Sequence, residues 1–126
     1  MQVKLLAVVS ALLLLSCTTA AANAQSNMKV TISTDKSVYV KGDKIRIYVH
    51  AKDLEGSAVS GALVQVAFKQ GSKSYAMERT FTNSNGVAFF QIKLSKHMSS
   101  GEYFIFAILS KPGFNQGTAT GKFYIF

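Results

Sequence analysis

Side chains able to carry chemistry are few in this sequence and stand far apart. His50 and His97 are the only histidines, and Cys17 is the only cysteine. His50 alternates with apolar residues in Lys44-Ile45-Arg46-Ile47-Tyr48-Val49-His50-Ala51, which puts it on the wet side of a strand. His97 stands in a polar link, and Cys17 lies upstream of the domain, where it cannot act as its nucleophile. Nucleophilic catalysis needs a base beside the nucleophile and an acid to orient the base, and no Ser-His-Asp set assembles from this spacing. No glycine-rich loop precedes a helical stretch, so nucleotide binding has no support. Asp35, Asp43, Asp53, Glu55, Asn83 and Asn85 are oxygen donors in turn segments. Their spacing matches no calcium loop, and so few carboxylates would neutralise a divalent ion poorly. The sequence therefore predicts no enzyme, no cofactor and no metal site.

Binding chemistry is better represented. In Glu102-Tyr-Phe-Ile-Phe-Ala-Ile-Leu-Ser110, inward Tyr103, Ile105, Ala107 and Leu109 leave Phe104, Phe106 and Ile108 pointing outward. The last strand repeats this: inward Phe123 and Ile125 leave Tyr124 and Phe126 outside. The two strands are neighbours in an immunoglobulin arrangement, with residues 62–69 on the other flank of the first. One sheet then shows an aromatic patch of several hundred Å², about the size at which a patch signals a protein partner or self-association. The other sheet presents Lys44, Arg46, His50, Gln91 and Lys93, a basic face suited to anionic glycan, wall polymer or membrane. Solvated edge protection is the plainer role for those cations.

These faces need strands to carry them. Alternating runs fall at residues 28–33, 37–40, 44–51, 62–69, 74–81, 87–94, 102–110 and 118–126, with Gly or Asn at most junctions. Asn85-Gly86 is the strongest turn, because it tolerates the positive φ of a tight hairpin. Within residues 74–81, Tyr75, Met77 and Phe81 are expected on one side. No stretch after residue 27 holds a helical period for three turns. Seven or eight short strands at this spacing predict one all-β domain, an immunoglobulin-like antiparallel sandwich.

The chain begins with a basic start, residues 1–4, and an apolar run, residues 5–15. That run is too short to span a bilayer, which takes about 20 residues, and suits the core of a secretory signal. Ala22-Asn23-Ala24 is a small-x-small processing site before Gln25, giving a signal over residues 1–24. Leu14-Leu15-Ser16-Cys17 resembles a lipobox, giving a lipoprotein signal over residues 1–16 with Cys17 acylated. Residues 25–34 then form a spacer and first strand, and residues 35–126 the domain. A single cysteine permits no internal disulfide, so the core must be held by packing alone. Apolar residues reach 48% of the chain, which argues against disorder. Fourteen Lys and Arg face six Asp and Glu, an excess of +8 that falls to +7 once Lys4 is removed. Scattered lysines on an exported chain do not suggest nucleic acid.

A family resemblance is carried by four segments. Asp35-Lys-Ser-Val-Tyr-Val-Lys-Gly-Asp-Lys-Ile45 resembles the opening of macroglobulin-type immunoglobulin-like modules and of bacterial invasin- and intimin-like surface domains. Gly56-Ser-Ala-Val-Ser-Gly-Ala-Leu-Val64 is similar to their "G-x-P-V-x-G-A-x-V" segment, with Ala58 in place of proline. Thr82-Asn-Ser-Asn-Gly-Val-Ala-Phe-Phe90 and Gly101-Glu-Tyr103 resemble their turn-then-strand element and the start of their penultimate strand. The resemblance covers residues 35–126 and implies the sandwich fold and a secreted or cell-surface setting. It implies no particular activity, since one fold hosts many functions. Tyr39 and Tyr103 are expected to bury their rings and reach backbone with their hydroxyls, in the manner of a tyrosine corner. The expectation is a non-enzymatic interaction module using its aromatic face, the alternative a lipid-anchored or peripheral polyanion binder using its basic face.

Overall fold

The computed structural model describes residues 25–126. The apolar run, both processing sites and Cys17 lie outside the described residues. Eight strands follow one another: β1 (Met28–Thr34), β2 (Val38–Tyr39), β3 (Lys44–Asp53), β4 (Leu63–Gln70), β5 (Lys73–Phe81), β6 (Val87–Lys93), β7 (Gly101–Ser110) and β8 (Gly117–Ile125). They form a smaller sheet in the order β1-β3-β6 and a larger one in the order β2-β8-β7-β4-β5. All neighbours run antiparallel except β2 and β8, which pair in parallel. At Asp35–Ser37 the chain leaves the smaller sheet and joins the larger, so its first stretch serves both layers.

The predicted alternation sets the inside. Ile45, Ile47, Val49 and Ala51 of β3 are buried, and so are Val64, Val66 and Phe68 of β4. Ala88, Phe90 and Ile92 of β6 and Tyr103, Ile105, Ala107 and Leu109 of β7 complete the two inner faces. At one end of the core Phe123 stacks on Tyr103 with ring centroids 5.3 Å apart and meets Phe68 edge-on at 5.1 Å. Tyr39 closes the same cluster at 5.8 Å from Phe123. At the other end β1 lies close over β8, where a Cβ on Gly117 would stand 2.7 Å from the Met28 side chain.

One strand departs from the expected pattern. The register of β4 and β5 shifts between Ala67 and Phe68, so that Ala67 faces Met77 while Phe68 faces Tyr75. The bulge inserts a residue on β5 and reverses the faces on either side of it. Tyr75 consequently turns inward, 5.6 Å from the Tyr103 ring, whereas Met77 and Phe81 turn to solvent. Tyr75, Met77 and Phe81 do not share a side.

The two buried tyrosines also differ from each other. Tyr103 donates its hydroxyl proton to the Ser99 carbonyl, four residues upstream, as a tyrosine corner does. Tyr39 donates instead to the Asp35 carboxylate at 2.6 Å and accepts the Lys36 N–H at 2.9 Å. The same carboxylate oxygen accepts the Arg46 N–H at 3.0 Å. The Tyr39 hydroxyl bond is the main reason the Asp35 carboxyl sits below its usual 3.8, with the Arg46 N–H and guanidinium adding to it against some burial. Burial first, and then the bond to Asp35, push Tyr39 from 10.0 up to about 12.

Both shifts favour the folded corner at neutral pH. Asp35 contributes stability that is present above about pH 4 and lost as pH falls through its lowered value. Tyr39 contributes stability that is present below about pH 10 and lost as pH rises towards 12. Melting followed by circular dichroism across pH should show a plateau with a fall on each side, and Tyr39→Phe should flatten the alkaline fall. An alkaline fall equally steep in Tyr39→Phe would assign it to other groups.

Candidate functional site

The sandwich has two outer faces, and each collects the residues that alternation assigned to it. On the larger sheet β7 presents Phe104, Phe106 and Ile108, which are 39%, 37% and 42% exposed. β4 is their neighbour on one flank, where Lys69, Ala67 and Gln65 stand opposite them in that order. Beyond β4 comes β5, whose Met77 lies opposite Ala67 and is 75% exposed. On the other flank β8 sets Lys122, Thr120 and Thr118 opposite the same three residues. A groove of about 590 Å³ lies on this face, lined by Ala67, Met77, Phe106, Ile108, Thr118 and Thr120 among others.

Tyr124 and Phe126 lie at one end of the face. Tyr124 stands opposite Glu102 on one side and beside Val38 of β2 on the other. Phe126 follows β8, with its N–H on the Tyr39 carbonyl at 2.8 Å. Lys122 and Glu102 approach to 4.0 Å across the β7–β8 pair, near Phe104 and Tyr124. Exposed apolar side chains therefore continue from Phe106 in both directions, to Met77 on β5 and to Tyr124, Val38 and Phe126 at the β2 end. The loop after β7 does not cover it: Phe114 packs half-buried against the end of the core, with its N–H on the Lys111 carbonyl. Cations edge the face, for Lys69 lies 5.2 Å from the Phe106 ring, and Arg79 and Lys122 stand nearby.

The smaller sheet carries the basic face. Lys44 of β3 stands opposite Lys93 of β6, and Arg46 stands opposite Gln91. His50 is half-buried between Thr31 of β1 and Val87 of β6. It is separated from Lys44, Arg46 and Lys93 by a tilted aromatic pair, Tyr48 and Phe89, with centroids 5.2 Å apart. A further cross-strand pair of lysines, Lys29 and Lys52, stands at the far end. Phe89 and Lys52 were legible from the same alternation, since Phe89 sits between inward Ala88 and Phe90. The sequence did not show that Phe89 and Tyr48 meet, because that depends on the β3–β6 register.

The loop oxygens considered for calcium are engaged by their own turns. Asp53 accepts the Glu55 and Ser57 N–H groups at 2.9 Å each, and Asn83 accepts those of Asn85 and Val87. Asp43 accepts the Val40 N–H at 3.0 Å. Among the described residues no three His, Cys, Asp or Glu side chains gather where they could hold a metal ion.

This architecture is that of an all-β sandwich of immunoglobulin-like type. No protein-family model and no curated protein sequence matches the chain. Solved structures share its fold. A CARDB domain from Pyrococcus furiosus, crystallised with di-metal ions, superposes with a TM-score of 0.52 at 18% identity, over 81% of this chain and 90% of that one. A superoxide reductase (neelaredoxin) from Ignicoccus hospitalis gives 0.58 at 11% identity, over 78% and 80%. A putative superoxide reductase from Thermotoga maritima gives 0.53 at 14% identity, over 82% and 88%. Identities this low establish a common fold and carry no activity with them.

Proposed function

We propose that this protein is a non-enzymatic, exported interaction module that docks a protein partner on the outer face of its larger sheet. The observation that carries this reading is the row of Phe104, Phe106 and Ile108, extended by Ala67 and Met77 into an apolar groove. A single strand with apolar residues on both faces is typical of one covered on both sides, and here the core covers only one. Export is supported by the basic start, the apolar run and the small-residue or lipobox processing sites of residues 1–24. The macroglobulin- or invasin-like segments of residues 35–126 favour a cell-surface or secreted setting.

The charges on this face favour a different protein over a second copy. Lys69, Arg79 and Lys122 surround the groove against Glu102, so two copies face to face would oppose like charges, whereas an acidic rim would complement them. Phe104→Ser with Phe106→Ser tests the reading. The wild-type chain is expected to bind a hydrophobic dye, and the double variant to lose that binding and gain solubility while melting within a few degrees of wild type. Light scattering reports whether the wild type is a monomer, as the charge argument requires. Unchanged dye binding, solubility and mass in a folded double variant would remove the reading.

A further inference from the structure

The outer face of the smaller sheet has a pattern that solvation and edge protection do not explain. Lysines commonly guard edge strands against unwanted pairing. Here Lys44, Arg46 and Lys52 project from β3, the central strand, whose edges are already paired with β1 and β6. Two rows set like charges directly opposite each other, Lys44 against Lys93 and Lys52 against Lys29, an arrangement that destabilises a sheet. No Asp or Glu occupies an outward position of these three strands. Among the described residues only Asp35, beyond the end of β1, approaches Arg46, at 4.0 Å.

Dimensions narrow the occupant. Three strands make a strip about 10 Å wide between its outer strands, and Lys44 to Lys52 covers about 27 Å along β3. A strip so narrow suits one extended chain better than a globular surface or a bilayer plane. The cations lie towards its two ends, and the middle holds the Tyr48–Phe89 pair beside Ser33 and Thr31. Phe89 is 48% exposed and offers a flat apolar surface between the charged ends. An acidic polysaccharide supplies anions for the cationic ends and sugar rings for the aromatic middle. Such a ring can lay its C–H face on an aromatic one while its hydroxyls bond to Ser33, Thr31 and Gln91.

We propose that this face binds an acidic polysaccharide lying along β3, with its acid groups on the lysine pairs at the two ends and a sugar ring on Phe89. The proposal is independent of the partner assigned to the larger sheet, because the two faces point in opposite directions and share no residue.

Titration of the purified chain with alginate, a polyuronate, tests it, with neutral dextran, oligo-dT and phosphatidylglycerol vesicles as the other ligands. Alginate should bind at physiological salt and dextran should not. Phe89→Ser, which leaves every charge in place, should weaken alginate binding roughly tenfold, about the worth of one stacking contact. Phe89→Leu guards against a folding defect and should also weaken it. Lys44→Gln with Lys93→Gln should weaken binding and flatten its salt dependence. The same pair should raise the melting temperature of the free protein by roughly 2–5 °C, as expected when like charges opposite each other are removed. No alginate binding at physiological salt would overturn the proposal. Full affinity in Phe89→Ser would reduce the face to nonspecific charge, and tighter binding to oligo-dT or to the vesicles would assign it to that ligand instead.

Discussion

Phe123→Ala is expected to destabilise the folded protein by about 3–5 kcal/mol, the range for an aromatic ring removed from a packed core. The reason is its position. Phe123 is 2% exposed and meets three other buried rings, Tyr39, Phe68 and Tyr103. Those rings come from β2, β4 and β7, so the resulting cavity would lie where the larger sheet gathers its strands. Tyr39 and Tyr103 are tied by their hydroxyls to Asp35 and Ser99 and cannot follow the lost ring without breaking those bonds. A site that cannot collapse keeps its cavity, which places the cost towards the upper end. A domain of this length has about 5–15 kcal/mol in total, so the variant should be largely unfolded at modest urea. Urea melts followed by tyrosine fluorescence measure it, and a loss below about 1.5 kcal/mol would show that the cluster repacks.

Gly86→Ala is expected to be comparably severe, at roughly 3–5 kcal/mol. Gly86 closes the turn between β5 and β6 with φ near 74°, a region that costs an alanine about 1 kcal/mol or more. The larger contribution is steric. A Cβ there would stand 2.5 Å from the Ala51 carbonyl oxygen and 3.1 Å from the Val59 nitrogen. Both are backbone atoms in the ladder, since the Val59 N–H bonds to the Ala51 carbonyl at 3.0 Å and the Ala51 N–H bonds to that of Gly86 at 2.8 Å. They cannot swing aside as a side-chain tip would. Nearby, the buried Thr82 hydroxyl accepts the Ala62 N–H and donates to the Val59 carbonyl, so a displaced turn would strain those bonds too. Gly71→Ala is the control, because its φ is also positive, at 58°, but none of the described residues comes within 4 Å of the added carbon. Equal melting temperatures for the two variants would show that conformation alone, without the close approach, sets the cost.

The two substitutions show where sequence reading succeeds and where it stops. Asn85-Gly86 was legible as a turn because Asn-Gly tolerates positive φ, but the tight hairpin expected there does not form, since the turn carries the chain from β5 of the larger sheet to β6 of the smaller. That Gly86 also touches residues 51 and 59 depends on the packing of distant segments, which no local signal records. Inward Tyr103 and Phe123 were legible from alternation, but their stacking depends on the β7–β8 register. Tyr39 was read correctly as a buried ring, whereas its carboxylate partner came into view only with the path of the chain around Asp35. The bulge opposite Ala67 and Phe68 was the costliest omission. It sends Met77 to the outer face and Tyr75 to the core, and nothing in residues 73–81 marks which residue is the extra one.

By itself the sequence determined the all-β class, the inner and outer faces of six strands, and the separation of an apolar face from a basic one. Side chains alternate with a period of two because of the local backbone geometry of an extended chain, and that is written residue by residue. The tertiary structure decided which outward residues become neighbours: Met77 beside Ala67, Phe89 against Tyr48, and lysine opposite lysine. Such neighbours are set by strand order and register, which depend on contacts between segments far apart in the chain.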